Sequence, residues 1–361
     1  MDDDDSGGLT STIAGSNRTR RRFLRDAWRA AVAVGAATRG VCGAVGELGA
    51  VGAPGVALGA ALAFEPARAA DDASLSPSPA AIPIERRMIP STKEPLPVVG
   101  CGTWRTFDVG TDAASLDRLA ATLRVLFAGG GSVIDSSPMY GSSEAVAGTL
   151  LTQLHAHDKA FIATKVWTEG RAAGIAQMEE SLRRFQQPRI DLMQVHNLLD
   201  WRTQLATLRE WKAQEKVRYI GITHYTSSAF PEVEAVMRSE KPDFVQINYA
   251  ADDRDAEARI LPLAADLGIA VIVNQPFGGG GLLAKMSHTT LPPWAADISC
   301  TSWAQVLLKF VLADPAVTVV IPGTGRPDYM ADNLRAGLGE YPDPAIRQQI
   351  VAAVGAAASA S

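Results

Sequence analysis

Asp191-Leu192-Met193-Gln194-Val195-His196 and Arg218-Tyr219-Ile220-Gly221-Ile222-Thr223 are two short, largely apolar runs, each closing on a polar side chain, with an amphipathic stretch from Trp201 to Gln214 between them. Continuous apolar runs of about five residues are what parallel strands buried on both faces require. The pattern repeats outward in both directions. Phe244–Asn248, Ala270–Asn274 and Val317–Ile321 continue it toward the C-terminus; Phe161–Lys165, Val133–Asp135 and Val98–Gly102 continue it toward the N-terminus. Helical patterns lie between, over Ser115–Phe127, Ala173–Phe185, Phe230–Met237, Ala256–Leu267 and Trp303–Leu312. Eight such strand and helix units over roughly 270 residues predict an α/β chain of the (β/α)8 TIM-barrel class. A doubly wound open sheet is the alternative, but no GxGxxG follows an early strand. Pro90-Ser91-Thr92-Lys93-Glu94-Pro95, flanked by apolar pairs, reads as an N-terminal hairpin capping the bottom of the barrel.

In a barrel the C-terminal strand ends share one rim, so residues far apart in sequence meet there. Asp135, Lys165, His196, His224, Gln246 and Asn274 each fall at a predicted strand end, at intervals of 30, 31, 28, 22 and 28 residues. Taken singly, an Asp after a strand is a turn residue, a Lys is solvated and a His is a core residue. Their common phase is what turns them into a site.

The local strings sharpen this. Val133-Ile134-Asp135-Ser136-Ser137-Pro138-Met139-Tyr140-Gly141 with Glu144, then Ala163-Thr164-Lys165, then Ile190 to His196, resemble the aldo-keto reductase superfamily. The resemblance runs from about Met88 to Ala336 and includes Gly102-Thr103-Trp104, Ser181 to Phe185, Gly221-Ile222-Thr223-His224 and Ile321-Pro322-Gly323-Thr324 with Asn333. It implies a catalytic tetrad of Asp135, Tyr140, Lys165 and His196, and a nicotinamide cofactor, usually NADPH with NADH also accommodated, lying across the rim. Carbonyl reduction builds negative charge on oxygen and needs a proton donor within about 2.6 to 3.2 Å. Tyr140 takes that role, with the Lys165 ammonium drawing the phenol toward working pH. Asp135 holds Lys165, and a neutral His196 aligns the carbonyl.

The cofactor half departs from the family's pattern. Thr223, His224 and Gln246 stand where Ser, Asn and Gln usually fix the carboxamide. Asn274, in Asn274-Gln275-Pro276-Phe277, replaces the aromatic that stacks under the nicotinamide. At the adenosine end Gly323, Thr324, Arg326 and Asn333 fit the region, but Gly323 and Tyr329 stand where many members carry cations, which leaves Arg326 as the partner for a 2′-phosphate. Gly278 to Gly281 would let backbone approach the pyrophosphate or form a plain flexible loop. Trp104, Trp167 and Trp294 are candidates for an apolar pocket wall.

The first 70 residues hold 8 of the 34 basic and 7 of the 39 acidic residues, which leaves 26 against 32 and a body near −6. A mildly acidic body without a basic stripe argues against nucleic acid as a partner and for small-molecule chemistry, here a carbonyl substrate. Cys42, Cys101 and Cys300 are far apart, so neither a disulfide framework nor a cysteine zinc site follows, and no metal-ligand cluster is evident. Thr19-Arg20-Arg21-Arg22-Phe23-Leu24-Arg25, a Gly/Ala-rich stretch to Phe64 and Ala67-Arg68-Ala69 resemble a twin-arginine signal read by the export machinery, with cleavage near Ala69 and a periplasmic product. A disordered Ala/Gly extension on a cytoplasmic protein is the other reading. Arg39, Glu47 and Pro54 interrupt the stretch and argue against a stable membrane span. Residues 71 to 82 then form a linker and 83 to 361 the barrel. Two rival functions remain at this level: a nicotinamide-binding sensor or auxiliary subunit with little turnover, and a lyase using Lys165 as a Schiff-base nucleophile.

Overall fold

The computed structural model describes residues 84–359, so the leader read over residues 1–70 and the linker over 71–82 lie outside the described residues. The barrel is a parallel sheet of β3 (Cys101–Gly102), β4 (Val133–Asp135), β5 (Phe161–Val166), β6 (Ile190–His196), β7 (Val217–Thr223), β8 (Phe244–Asn248), β9 (Ala270–Asn274) and β10 (Val317–Val320), each paired with the next in sequence. Parallel bridges Val99–Val320 and Gly102–Gly323 join the first strand to the last and close the sheet. Close approach of neighbouring strands explains two glycines. A Cβ on Gly102 would stand 2.8 Å from the backbone oxygen of Ile321, and one on Gly100 would stand 2.8 Å from Cβ of Val133.

Helices α1 (Ala113–Ala128), α2 (Ser143–Gln153), α3 (Arg171–Phe185), α4 (Trp201–Ala213), α5 (Phe230–Glu240), α6 (Asp255–Ala258), α7 (Ile260–Leu267), α8 (Gly281–Met286), α9 (Trp303–Leu312), α10 (Pro327–Leu334) and α11 (Pro344–Ser359) surround the sheet. Their buried faces and the outward strand residues form the larger core. The continuous helix expected over Ala256–Leu267 is instead broken at Arg259 (φ −133°, ψ −64°). Pro262 is the reason: it cannot donate to a carbonyl four residues back, so the helix restarts at Ile260 and Pro262 falls in a first turn, where no such bond is needed.

Alternation along the strands places a second, inner core of Val133, Phe161, Ala163, Leu192, Tyr219, Phe244, Ala270, Ile272, Val319 and Ile321 inside the barrel, joined by Ile89 and Leu96. The lower end is aromatic: Tyr219 meets Phe244 edge-on at 5.5 Å, and Phe161 lies 6.1 Å from Phe244. Below it β1 (Arg86–Met88) pairs antiparallel with β2 (Pro95–Pro97). Glu94 in the connecting turn accepts from Tyr219 Oη (2.6 Å) and ion-pairs with Arg218, and Arg87 donates to the carbonyls of Leu312 and Asp314.

Candidate active site

The inward phase that carries apolar residues up from the barrel floor ends in polar ones. Asp135 lies two residues beyond Val133, Lys165 two beyond Ala163, Gln194 two beyond Leu192, Thr223 four beyond Tyr219, Gln246 two beyond Phe244 and Asn274 two beyond Ile272. Asp135, His196 and Asn274 are the last residues of their strands; Lys165 is one short of its strand's end, His224 one past it, and Gln246 sits mid-strand, deeper than a rim residue.

Asp135 and Lys165 are 2% and 1% exposed, and Lys165 Nζ donates to Asp135 Oδ1 (2.6 Å) and to the backbone oxygen of Ser136 (2.7 Å). The other carboxylate oxygen accepts from Gln246 Nε2 (2.8 Å) and Gln194 Nε2 (3.3 Å). Thr223 Oγ1 donates to Gln246 Oε1 (3.2 Å) and so fixes that amide's orientation. Burial pulls the Lys165 ammonium down, but the charges of Asp135, Tyr140 and Glu144 outweigh it and hold the group above the ordinary lysine range. Glu144 is itself buried and accepts from Thr164 (2.6 Å), Ser181 (2.9 Å) and Arg184 (3.3 Å).

Tyr140 lies in the loop between β4 and α2, its ring 5.4 Å from Lys165 Nζ and edge-on to His196 at 6.1 Å. The loop is held by Asp108, whose Oδ1 accepts from both the amide and the hydroxyl of Ser142 (2.9 and 2.8 Å). Gly141 has φ +58°, and a Cβ there would stand 2.3 Å from that carboxylate. The sequence leads one to expect a Tyr140 phenol drawn down by Lys165. The structure corrects this: burial pushes it above its ordinary value, with Lys165 opposing and Asp135 adding to the rise. Burial therefore favours the neutral phenol, the form that can give up a proton.

His196 is 7% exposed, and burial together with the Lys165 and His224 charges drives its pKa down to about 3. The imidazole is neutral. Met139 N–H donates to Ser137 Oγ (3.3 Å), whose hydroxyl meets His196 Nδ1 at 3.1 Å, an arrangement that favours the ring proton on Nε2. His224 is fixed in the same way: its Nδ1 accepts from the amides of Tyr225 (3.1 Å) and Thr226 (3.2 Å), leaving Nε2 as the donor.

The remaining candidates divide. Thr103 donates its amide to the Asp135 carbonyl (3.0 Å) and its hydroxyl to Ser136 Oγ (2.9 Å), so it braces the end of β4. Gly102 and Gly323 form the closing bridge. Trp104 is 42% exposed with the Arg105 guanidinium over its ring at 4.0 Å. Asn274 donates to the His224 carbonyl (3.2 Å), while its Oδ1 is buried with no hydrogen-bond partner. Gln275 takes φ +50°, which turns the chain over the rim, and Pro276 and Phe277 are buried, Phe277 in the outer core. Gly278 to Gly280 form a tight turn with φ of +56°, +65° and +99°, leading into α8 rather than a long loop. Thr324 and Asn333 are buried, and Thr324 Oγ1 accepts from the Arg326 amide (3.2 Å). Arg326 pairs with Asp328 (2.6 Å) and lies over Tyr329 at 4.1 Å, so its guanidinium is engaged within its own segment. Trp294 is partly buried and packs edge-on against Trp303 on the outer core. Among the described residues no three His, Cys, Asp or Glu side chains gather as a metal site, and no helix is long and apolar enough to cross a membrane.

The sequence reading passes over Gln194, Ser137 and Asp108. Gln194 was open to detection, since it shares the inward phase of Leu192 and His196; Ser137 and Asp108 act through loop geometry that no periodicity encodes.

The sequence model described as the Aldo/keto reductase family matches residues 98–348. The methylglyoxal reductase YeaE of Escherichia coli (strain K12) is 28% identical over 232 residues, covering 62% of this chain and 80% of that protein. The aldo-keto reductase YhdN of Bacillus subtilis (strain 168) is also 28% identical, over 208 residues, covering 53% and 61%. Among solved structures, an aldo-keto reductase from Klebsiella pneumoniae in complex with NADPH superposes with a TM-score of 0.62 at 24% identity, over 73% of this chain and 92% of that one. The Bombyx mori aldo-keto reductase AKR2E4 in complex with NADP superposes at 0.60 with 20% identity, over 77% and 94%.

Proposed function

The chain belongs to the aldo/keto reductase family, and from that premise we propose that it reduces the carbonyl of a small aldehyde or ketone to the alcohol at the expense of NADPH, with NADH as a second donor. The observation that carries this reading is the buried Lys165–Asp135 pair set beside Tyr140 and His196. A nicotinamide fits the donor set above it. The partnerless Oδ1 of Asn274 is an acceptor and His224 offers an N–H, while Thr223 and Gln246, engaged with each other and with Asp135, support the site from below. Gly279 and Gly280, where a Cβ would meet nothing within 4 Å, leave room for backbone to face a pyrophosphate. The complexes of relatives with NADPH and NADP support the same cofactor here.

The bound nicotinamide supplies the hydride; the protein's own groups manage the charge that forms on the substrate oxygen. Tyr140 gives its phenolic proton to that oxygen. Its high intrinsic pKa keeps the proton in place until negative charge develops. Lys165, held as an ammonium by Asp135, then stabilises the phenolate that remains. His196 Nε2–H donates to the same oxygen and orients it, and because the imidazole is neutral it does so without competing as an acid. A Schiff-base role for Lys165 is disfavoured by the same pairing, since the amine is held protonated.

Replacing Tyr140 by Phe removes the donor and keeps the ring. Turnover in a panel of aldehydes and ketones, read by NADPH oxidation, falls by roughly 10² to 10⁴-fold with cofactor affinity retained; undiminished turnover sinks the assignment. We also propose that residues 1–70 direct twin-arginine export, supported by Arg21, Arg22 and Ala67-Arg68-Ala69. Lysine at both arginines leaves the precursor in the cytoplasm on fractionation, and an unchanged distribution rejects the idea.

A further inference from the structure

Asp135 has two oxygens and the barrel treats them differently. Oδ1 faces Lys165, and Oδ2 receives two amide groups, Gln246 Nε2 at 2.8 Å and Gln194 Nε2 at 3.3 Å. Gln246 reaches it from β8, beside the cofactor candidates. Gln194 has no such neighbour. It is fully buried inside β6, points into the barrel below His196, and its own Oε1 meets no partner. A buried amide with one end unsatisfied costs stability, and an apolar residue of the same length would fill the place without that cost. The neighbouring strand is also shaped around it. Gly221 on β7 pairs in register with Gln194, and a Cβ there would stand 2.9 Å from Gln194 Cγ.

We propose that Gln194 is a positioning residue which, together with Gln246, holds the outer oxygen of Asp135 and sets the balance of charge that Tyr140 meets. The physical basis is simple. Two N–H dipoles directed at Oδ2 disperse the carboxylate charge that Tyr140 meets and fix the carboxylate so that Oδ1 faces Lys165. Loss of one amide leaves more unscreened negative charge near Tyr140. That charge disfavours the phenolate. The charged and titratable groups around the pair are Lys165 on β5, Glu144 on α2, His196 on β6, His224 after β7 and Cys101 on β3. His196 is neutral, and burial pushes the Cys101 thiol up to about 12, so neither supplies a compensating charge.

The proposal rests on the carbonyl-reductase reading, and its test separates the two. Gln194→Met keeps the length of the side chain and removes the donor. The alkaline midpoint for alcohol oxidation, and the ultraviolet titration of the Tyr140 phenolate in the cofactor-free protein with Tyr140→Phe as baseline, both move upward by roughly half a pH unit or more. KM for NADP is unchanged, and thermal unfolding controls for the fold. A Gln194→Met protein whose phenolate titrates with the parent overturns the proposal. A parent that turns over no carbonyl, but whose phenolate midpoint still responds to Gln194→Met, refutes the reductase reading and leaves the positioning role standing.

Discussion

Lys165 Nζ and Asp135 Oδ1 lie 2.6 Å apart with side chains 1% and 3% exposed. Such a pair is weak evidence of stability, because removing two ions from water costs several kcal/mol each and their attraction only offsets it. An apolar pair of similar volume would continue the packing of Ala163 and Leu192 below, at the cost of the acceptor that Asp135 gives the Gln194 and Gln246 amides. Under the proposed reduction the charges have a chemical use instead, because the Lys165 ammonium lies 5.4 Å from the Tyr140 ring.

Breaking the pair and removing it should therefore differ. Asp135→Leu alone leaves an uncompensated buried ammonium and costs about 3 to 5 kcal/mol of unfolding free energy. The double variant Asp135→Leu/Lys165→Met recovers the part due to the buried ammonium, though not the part due to the Gln194 and Gln246 amides left without their acceptor, and has no turnover. Urea unfolding and NADPH oxidation on the three proteins decide it, and a double variant as unstable as the single one refutes the argument.

His196 gives a dependence on pH with a definite sign. Its folded-state pKa is depressed to about 3 from an ordinary 6.5, so between those values the unfolded chain binds a proton that the folded chain does not. The stability it contributes is complete above 6.5 and is lost as pH falls toward 3, at about 1.4 kcal/mol per pH unit. The difference in unfolding free energy between parent and His196→Gln should slope accordingly over that window. A flat difference means that the imidazole titrates normally in the folded protein.

How much of this could be read from the chain differs by residue. Val133–Asp135, Phe244–Asn248, Ala270–Asn274 and Trp303–Leu312 have the bounds their apolar patterning indicates, because each is buried on every side and no loop chemistry competes. The shared phase of Asp135, Lys165 and His196 is also visible, since strand ends in a barrel are equivalent positions. The clamp on Asp135 is not. It depends on Gln246 lying mid-strand and on β6 to β8 being staggered so that two amides reach one oxygen, and register is set by the closed sheet. The Tyr140 phenol shows the same limit: the sequence supplies the neighbouring cation, while the burial that outweighs it belongs to the fold.

The last expectation concerns the choice between cofactors, and it follows from the partner Arg326 has taken. The guanidinium donates to Asp328 through Nε (3.1 Å) and Nη2 (2.6 Å), with the two side chains 55% and 59% exposed. An exposed pair of this kind is worth little and is screened by salt, so a dianionic 2′-phosphate can displace Asp328 at small cost. Arg326→Ala should weaken NADPH binding by roughly ten- to a hundred-fold and NADH binding hardly at all. Asp328→Asn, which removes the competing carboxylate and leaves the arginine, should tighten NADPH by a few-fold at low ionic strength, an advantage that fades as salt is raised. Fluorescence titration of both cofactors against both variants reads the difference. Equal losses for NADPH and NADH in Arg326→Ala would mean that this guanidinium does not meet the phosphate and that Asp328 is its resident partner.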